Sequence, residues 1–318
     1  MAKKAYRVRN WKEYNENLVK RGSITFWFDD SLIQTWHQPL EHQGRGRPVV
    51  YADIAIECAL TLKFLFNLSL RGSEGFVKSL IKLMKLSIKV PDYTTMCKRQ
   101  RKLEIKLSKL RKIRRGKIDI VVDSTGLKLF GEGEWQIRQH GKTRVRNWRK
   151  IHLAINPKTH EIENCCLTPH DIQDCQALPS LLEGIKTPLN KVIGDGAYDR
   201  FSCYEEMERY ECQGIFPPQR NASTSEEHKK WKKGISGEAI LKRDEMIRKV
   251  RSLGRKGWKK RNGYHKRSLA ETAMFRLKKI LGTRISSQVL ESQRVEVSIK
   301  CNILNKMTGL GMPERVMI

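Results

Sequence analysis

The sequence predicts an α/β protein in which a helical N-terminal region precedes helices layered on a mixed central sheet. Apolar residues recur at helical spacing over residues 51–68. After residue 116 the pattern changes to short runs of β-branched and apolar residues, such as 118–122, which have the length and composition of buried strands. Strand and helix patterns then alternate, as they do in an α/β layer.

The N-terminal region is expected to cover residues 1–115. Its first 48 residues are polar and mixed and end in the run Gly-Arg-Gly-Arg-Pro, which is typical of a hinge or of an arm that touches phosphate. Helices are expected over 51–68 and 73–86. Asp92 is expected to cap a third helix that continues through the basic run 98–115.

Three helices with a short turn before the third are typical of a helix-turn-helix module, whose last helix enters the major groove of DNA. A solvated charged helix explains the basic run equally well. If the module binds DNA, the contact residues that we expect on its third helix are Thr94, Thr95, Lys98 and Arg99.

The second region, residues 116–318, begins with the predicted strand 118–122. A hairpin is expected from the runs 150–155 and 162–167, which flank an Asn-Pro turn. Further elements are a helix over 176–185, a strand at 191–193, a helix over 201–212 and a strand at 214–218. We expect Asp171 and Asp174 to begin the first of these helices and Asp199 to cap the second.

Residues 219–263 are polar and basic, and they predict an insertion over the functional face with a helical piece near 238–250. The tryptophans of this insertion, Trp231 and Trp258, are candidate DNA contacts. The eight cysteines form no C-x-x-C pair, so we expect reduced thiols and neither a zinc site nor a disulfide framework. The N-terminus lacks an apolar export segment, which predicts a soluble cytoplasmic protein without a membrane anchor.

The charge of the chain predicts a polyanionic partner. Lys and Arg number 63 against 34 Asp and Glu, a formal net charge of +29. Such an excess binds phosphate backbones because condensed counterions are released on contact. Nucleic acid is therefore the leading partner, although charge alone does not distinguish it from a merely basic soluble protein.

Three acids stand where a fold could bring them together. Asp123 and Asp195 each follow a predicted strand, and Glu271 lies on a later predicted helix. Carboxylates at neighbouring strand ends, with one from a flanking helix, can hold two divalent ions about 3.5 to 4 Å apart. Because clustered carboxylates resist joint ionisation, the arrangement implies Mg²⁺, for which Mn²⁺ can substitute.

The residues around Glu271 share one helical stripe. At about 100° per residue, Tyr264, Arg267, Glu271 and Lys278 fall within a stripe roughly 60° wide. This places a carboxylate between cations, which suits a metal ion held against phosphate. Ser268-Leu269-Ala270-Glu271 also fits a capping box, in which the Glu only caps the helix start.

These motifs together resemble those of the DDE transposases of bacterial insertion sequences. The similar segments are Asp123-Ser-Thr-Gly, Gly-Asp195-Gly-Ala-Tyr-Asp and the Y-R-E-K signature Tyr264-x2-Arg267-x3-Glu271-x6-Lys278. The string Asp-Tyr-Thr-Thr at 92–95 is similar to the insertion-sequence-five group of that branch. The resemblance implies a ribonuclease H-like core with Asp123 on the first strand, Asp195 after the fourth and Glu271 on a late helix.

The resemblance also implies a function. A transposase would bind terminal inverted repeats, cut them with Asp123, Asp195 and Glu271, and join the ends to target DNA. Tyr264, Arg267 and Lys278 would contact phosphates near the cleaved bond. The resemblance further implies double-stranded DNA as the partner, a homodimer on paired DNA ends and a location at the nucleoid. A structure-specific metal-dependent nuclease and a catalytically inactive DNA-binding protein are the alternatives.

Overall fold

The computed structural model describes residues 6–37, 50–107, 116–129, 148–227 and 234–317. The strands in these ranges are β1 (Tyr6–Val8), β2 (Ile118–Leu129), β3 (Trp148–Ile155), β4 (Ile162–Pro169), β5 (Leu189–Ile193), β6 (Gln213–Ile215), β7 (Arg284–Ile285) and β8 (Arg315–Met317). The α-helices are α1 (Trp11–Lys20), α2 (Ile24–Trp27), α3 (Asp30–Thr35), α4 (Asp53–Leu65), α5 (Leu70–Leu83), α6 (Tyr93–Gln100), α7 (Asp174–Glu183), α8 (Phe201–Arg209), α9 (Gly237–Arg261), α10 (Ser268–Leu281) and α11 (Leu290–Leu310). Short 3-10 helices, Gly196–Tyr198 and Tyr264–Arg267, precede α8 and α10.

The chain divides into two compact units. The first consists of Met1–Leu110 and Val289–Ile318, and the second of Arg111–Gln288. The C-terminal helix α11 groups with the N-terminal helices. It does so because α11 packs along α4, which is buried along most of its length.

The first unit is helical, with β1 and β8 forming an antiparallel ribbon. Its core includes Trp27, Phe28 and Trp36, and the rings of Phe28 and Trp36 lie 5.6 Å apart. The indole Nε1 of Trp36 donates to the carbonyl of Lys89 (2.8 Å). The polar stretch before residue 38 thus supplies α1 to α3 and part of a core, because its aromatic residues pack against one another. The run 44–48, predicted as a hinge or arm, lies outside the described residues.

The helices expected at 51–68 and 73–86 are present as α4 and α5. Asp92 caps α6 as predicted, accepting a hydrogen bond from the amide of Thr95 (2.8 Å). The expected basic helix through residue 115 is shorter than predicted. It ends at Gln100, the next residues to 107 are not helical, and residues 108–115 lie outside the described ranges.

The second unit is built on a mixed sheet with strand order β4-β3-β2-β5-β6, and β7 pairs with the far end of β2. β2, β3 and β4 are antiparallel neighbours, whereas β5 runs parallel to β2 and β6 parallel to β5. Helix α10 contacts β2 and β3, and α7 contacts β3 and β4. The predicted α/β class with a mixed sheet is confirmed, and the order fits a ribonuclease H-like core.

Strand β2 continues to Leu129, beyond the predicted run 118–122. The prediction stops at residue 122 because the residues that follow are not apolar and lack the pattern of a buried strand. Ser124 to Lys128 pair with β3 and β7, so backbone hydrogen bonding extends the strand beyond its buried part. Five of the eight cysteines are buried. Within the described ranges, no helix combines the length and the apolar character needed to cross a membrane.

Candidate active site

Asp123 and Asp195 lie at the same level of two neighbouring parallel strands. Val121 of β2 is in register with Ile193 of β5, and each aspartate stands two residues beyond this pair. β5 ends there, and Asp195 caps the 3-10 turn that follows, accepting from the amide of Ala197 (2.9 Å). The parallel register thus brings together two acids 72 positions apart in the sequence.

The glycine before Asp195 is required by packing. A Cβ at Gly194 would lie 2.6 Å from Cδ2 of Tyr198, which is closer than real Cβ atoms approach a ring. The Tyr198 side chain is fully buried. The rings of Tyr198 and Phe216 therefore leave no room for a side chain at Gly194, and this packing fixes the turn that carries Asp195.

Arg267 connects the third acid to the first. Its guanidinium donates to Oδ2 of Asp123 (3.0 Å) and also pairs with the carboxylate of Glu271, one turn further along. The stripe predicted from helical spacing therefore faces β2, although Tyr264 and Arg267 lie on the 3-10 helix and only the later residues on α10.

The capping-box interpretation of Glu271 is wrong. No side-chain hydrogen bond caps the start of α10, and the hydroxyl of Ser268 donates to the carbonyl of His265 instead (2.9 Å). The carboxylate of Glu271, which is 56% exposed, turns to Arg267. The fourth signature residue also reaches β2, because Nζ of Lys278 donates to Oγ1 of Thr125 (2.6 Å).

The charges of the three acids act on one another. Burial raises the pKa of Asp123, and the charges of Asp195 and Glu271 raise it further, against the Ser124 amide and Arg267, which lower it. Ionised Asp123 is therefore held at a cost in the folded protein, which an added cation would relieve. Burial also raises the pKa of Tyr264, and Asp195 and Asp123 contribute in the same direction.

The donor set suits a hard divalent cation, since its ligands are carboxylate oxygens only. As the described residues are placed, however, no group of three or more acidic, His or Cys side chains is arranged to hold a metal ion. The guanidinium of Arg267 lies between Asp123 and Glu271 and supplies the positive charge there. The donor atoms fit a divalent cation, while in this structure Arg267 binds two of the three carboxylates.

Trp258 supports the site from inside the protein. Its indole is 1% exposed, and its ring centroid lies 5.7 Å from that of Tyr264, itself 9% exposed. A side chain this deeply buried offers no surface to DNA, so the structure gives Trp258 a packing role in place of the predicted DNA contact. Trp231, the other predicted contact of the insertion, lies outside the described residues.

The predicted contacts on α6 have structural partners of their own. The hydroxyls of Thr94 and Thr95 donate to Asp92, and the Thr94 hydrogen bond is the main cause that lowers the pKa of Asp92 to about 2. Arg99 pairs with Asp53 (2.5 Å) and donates to the carbonyl of Tyr51 (3.0 Å).

Lys98, by contrast, lines a surface groove of about 600 Å³ between the start of α5 and α6, together with Arg71 and Arg101. Of the four residues predicted on α6, Thr94 and Lys98 line this groove. The guanidinium of Arg71 lies over the ring of Tyr93, another wall of the groove, 4.4 Å from its centroid.

Two acidic networks were not predicted. Asp174, expected only to begin a helix, accepts from the hydroxyl of Ser124 (2.9 Å) and from Nζ of Lys150 (3.1 Å). Asp199 does not cap α8 as expected. It is 4% exposed and is bound by Nε and Nη2 of Arg243 at 3.1 and 3.2 Å. None of these three partners lies within a helical turn of its acid, so local spacing in the sequence does not predict the pairs.

Comparison with known proteins agrees with the geometry. Models of two families, each described as a transposase DDE domain, match residues 19–132 and 114–306. An uncharacterized protein of Aquifex aeolicus (strain VF5) is 47% identical over 66 residues, which is 21% of this chain and 19% of the relative. The chain thus aligns with about a fifth of that relative's length. No solved structure matches the chain.

Proposed function

The chain belongs to the family of transposase DDE domains, and we propose that it is a DNA transposase that cuts the terminal inverted repeats of its element and joins them to target DNA. The observation that carries the proposal is the meeting of Asp123 and Glu271 at Arg267, with Asp195 at the end of the neighbouring strand. Three acids from distant parts of the sequence serve no evident packing purpose there, and their mutual repulsion makes the arrangement costly without a cation.

Asp123, Asp195 and Glu271 would hold Mg²⁺, or Mn²⁺ in its place, as two ions that activate the attacking oxygen and stabilise the departing one. Arg267 is the residue that must change partners. Its planar fork matches two phosphate oxygens as well as it matches carboxylates. We infer that Arg267 leaves the acids for the scissile phosphate, and that Lys278 and Tyr264 bind neighbouring phosphate oxygens. Water is then the first nucleophile, and the DNA 3′-hydroxyl that it frees is the second.

The helical first unit is proposed to bind the inverted repeats. Support comes from the groove beside α6, where Arg71, Lys98 and Arg101 contribute three cations. Recognition of two ends would require a homodimer, and the protein would work in the cytoplasm on nucleoid DNA. The net charge of +29 favours contact with extended phosphate backbones.

The test is a cleavage and joining assay on DNA that carries the two ends of the element, with and without Mg²⁺. Wild type is expected to nick the ends and join them to a second duplex only when the metal is present. Asp123→Ala, Asp195→Ala and Glu271→Ala are each expected to abolish both products, while binding to the ends persists.

Cleavage without joined product would instead favour a structure-specific nuclease. Binding to the ends without any nicking, unaffected by removal of Mg²⁺, would favour an inactive DNA-binding protein. Full activity of any one alanine variant would remove that residue from the site.

A further inference from the structure

The two halves of helix α9 differ in how their cations are neutralised. In the half before Gly254, the basic side chains are paired with acids. Lys242 pairs with Glu238 (2.6 Å) and Lys249 with Glu245 (2.5 Å). The other pairs of this half are Arg243 with Asp199, Arg248 with Glu226 and Arg251 with Glu227.

The half after Gly254 has cations and no acid. Its sequence from 255 to 261 is Arg-Lys-Gly-Trp-Lys-Lys-Arg, and among the described residues none of these five cations forms an ion pair. We call residues 255–261 the basic arm. Five positive charges within two helical turns repel one another, and an anionic partner would relieve this repulsion.

The basic arm is fixed in position rather than free. Gly254 has φ 67° and ψ 157°, which breaks the helix and is a conformation that L side chains rarely adopt. Beyond the break, Trp258 is buried beneath Tyr264, and Nη2 of Arg255 donates to the carbonyl of Pro218 (2.7 Å). Nζ of Lys259 lies 5.4 Å from the centroid of the Tyr264 ring. The arm therefore lies directly beside the signature residues of the active site.

The exposed cations of the arm point away from its anchor. At about 100° per residue, Lys256 and Lys260 lie roughly opposite Trp258 and about 6 Å apart along the helix. Both side chains belong to exposed residues, as does Arg261. Lysines are point charges that bind phosphate without reading bases, and phosphate contacts carry no sequence information directly.

We propose that the basic arm captures the target duplex, binding its phosphate backbone without regard to sequence and holding it beside the carboxylates for the joining step. The proposal rests on the function proposed above. It commits to the target and not to the element's ends because the ends must be read by sequence, whereas a surface of Lys256, Lys260 and Arg261 accepts any duplex.

The first test measures binding of a duplex of unrelated sequence by fluorescence anisotropy at several salt concentrations. The variant carries Lys256→Gln, Lys260→Gln and Arg261→Gln. A matched control carries Lys242→Gln, Arg248→Gln and Lys249→Gln, which removes the same charge from the same helix where it is already paired. We expect the slope of log K against log salt to fall by about 2.7 in the arm variant, at 0.9 for each of three phosphates, and by less than about 1 in the control. Equal slopes for the two variants would overturn the proposal.

The second test separates target capture from binding of the ends. In the assay on element ends, we expect the ratio of joined to cleaved product to fall about tenfold or more in the arm variant and to stay near wild type in the control. An unchanged ratio would assign the arm to the ends and overturn target capture. If wild type itself neither cuts nor joins, the function proposed above fails, while the salt slopes still decide whether the arm binds DNA.

Discussion

The acids at the two faces of β2 have different surroundings. On one face, Asp123 pairs with Arg267, and the charges of two further acids raise its pKa. On the other face, the hydroxyl of the next residue, Ser124, donates to Asp174 of α7. Both acids are partly buried, with side chains 14% and 16% exposed. Asp174 is surrounded by donors, namely a hydroxyl and the ammonium of Lys150, whereas Asp123 has like charges nearby. Residue type and exposure are therefore similar on the two faces, and each acid has one cation as a partner. The charges of Asp195 and Glu271 distinguish the surroundings of Asp123, in the candidate active site, from those of Asp174.

Replacing one carboxylate oxygen by an amide nitrogen, at Asp123 on one face and at Asp174 on the other, should affect activity in the first case and stability in the second. Asp123→Asn is expected to reduce end cleavage by about 10³-fold or more, since a proposed ligand of the cation is lost. Stability should change little because an ionised group held at a cost is removed. Asp174→Asn is expected to lower the free energy of unfolding by about 2 kcal/mol, because Lys150 loses its charged partner in a partly buried network. Cleavage assays and denaturant unfolding measure the two effects.

Each variant serves as the control for the other. A strongly destabilised Asp123→Asn, or an Asp174→Asn that unfolds like wild type but no longer cuts DNA, would reverse the assignment of the two faces.

Titration provides a second way to test the comparison. His152, on the Ser124 face, is fully buried, and burial lowers its pKa from 6.5 to about 4. The unfolded chain therefore binds the proton first as the pH falls, so stability is lost from about pH 6.5 down to about pH 4 and then levels off, by at most about 3 kcal/mol. Asp123 has the opposite sign, because its pKa is raised and its contribution is lost as the pH rises.

We expect His152→Gln to flatten the unfolding free energy between pH 4 and 6.5, as measured by denaturant titrations across that range. A variant that keeps the wild-type loss of stability would show that another group is responsible.

The acids on one face of β2 stand out in the sequence as candidates, whereas the network on the other face does not, for physical reasons. Asp123 and Asp195 follow apolar strand patterns, and Glu271 sits at helical spacing from Arg267, so local periodicity points to them. Asp174 reaches Ser124 and Lys150 only through the register of the sheet, which joins residues 50 and 24 positions apart.

The same limit explains the errors in the insertion and at the chain's ends. An Asp before a helix is usually a cap, which misled the interpretation of Asp199, whose partner Arg243 is 44 positions away. Trp258 stands in a basic run, which predicts a position at the surface, but tertiary packing buries it against Tyr264. The mixed sheet could be predicted because each strand has its own run of apolar and β-branched residues. The packing of α11 against α4 could not be predicted, because nothing in the sequence of either helix identifies the helix that it contacts.

The smallest expected effects come from the two lysines that bind opposite faces of this part of the sheet. Lys278 donates to Thr125 on the Asp123 face, and Lys150 donates to Asp174 on the Ser124 face. Lys278→Met should change the unfolding free energy by less than about 1 kcal/mol, because a neutral hydroxyl loses one hydrogen bond. It should reduce end cleavage about tenfold, since one proposed phosphate contact is removed.

Lys150→Met should lower stability by about 1 to 2 kcal/mol and change cleavage less than twofold in the fully folded fraction. Thermal unfolding and single-turnover cleavage on the same preparations would show both effects. The comparison of faces fails if Lys150→Met proves the more damaging change for cleavage, because a structural network on that face would then be acting on the phosphate.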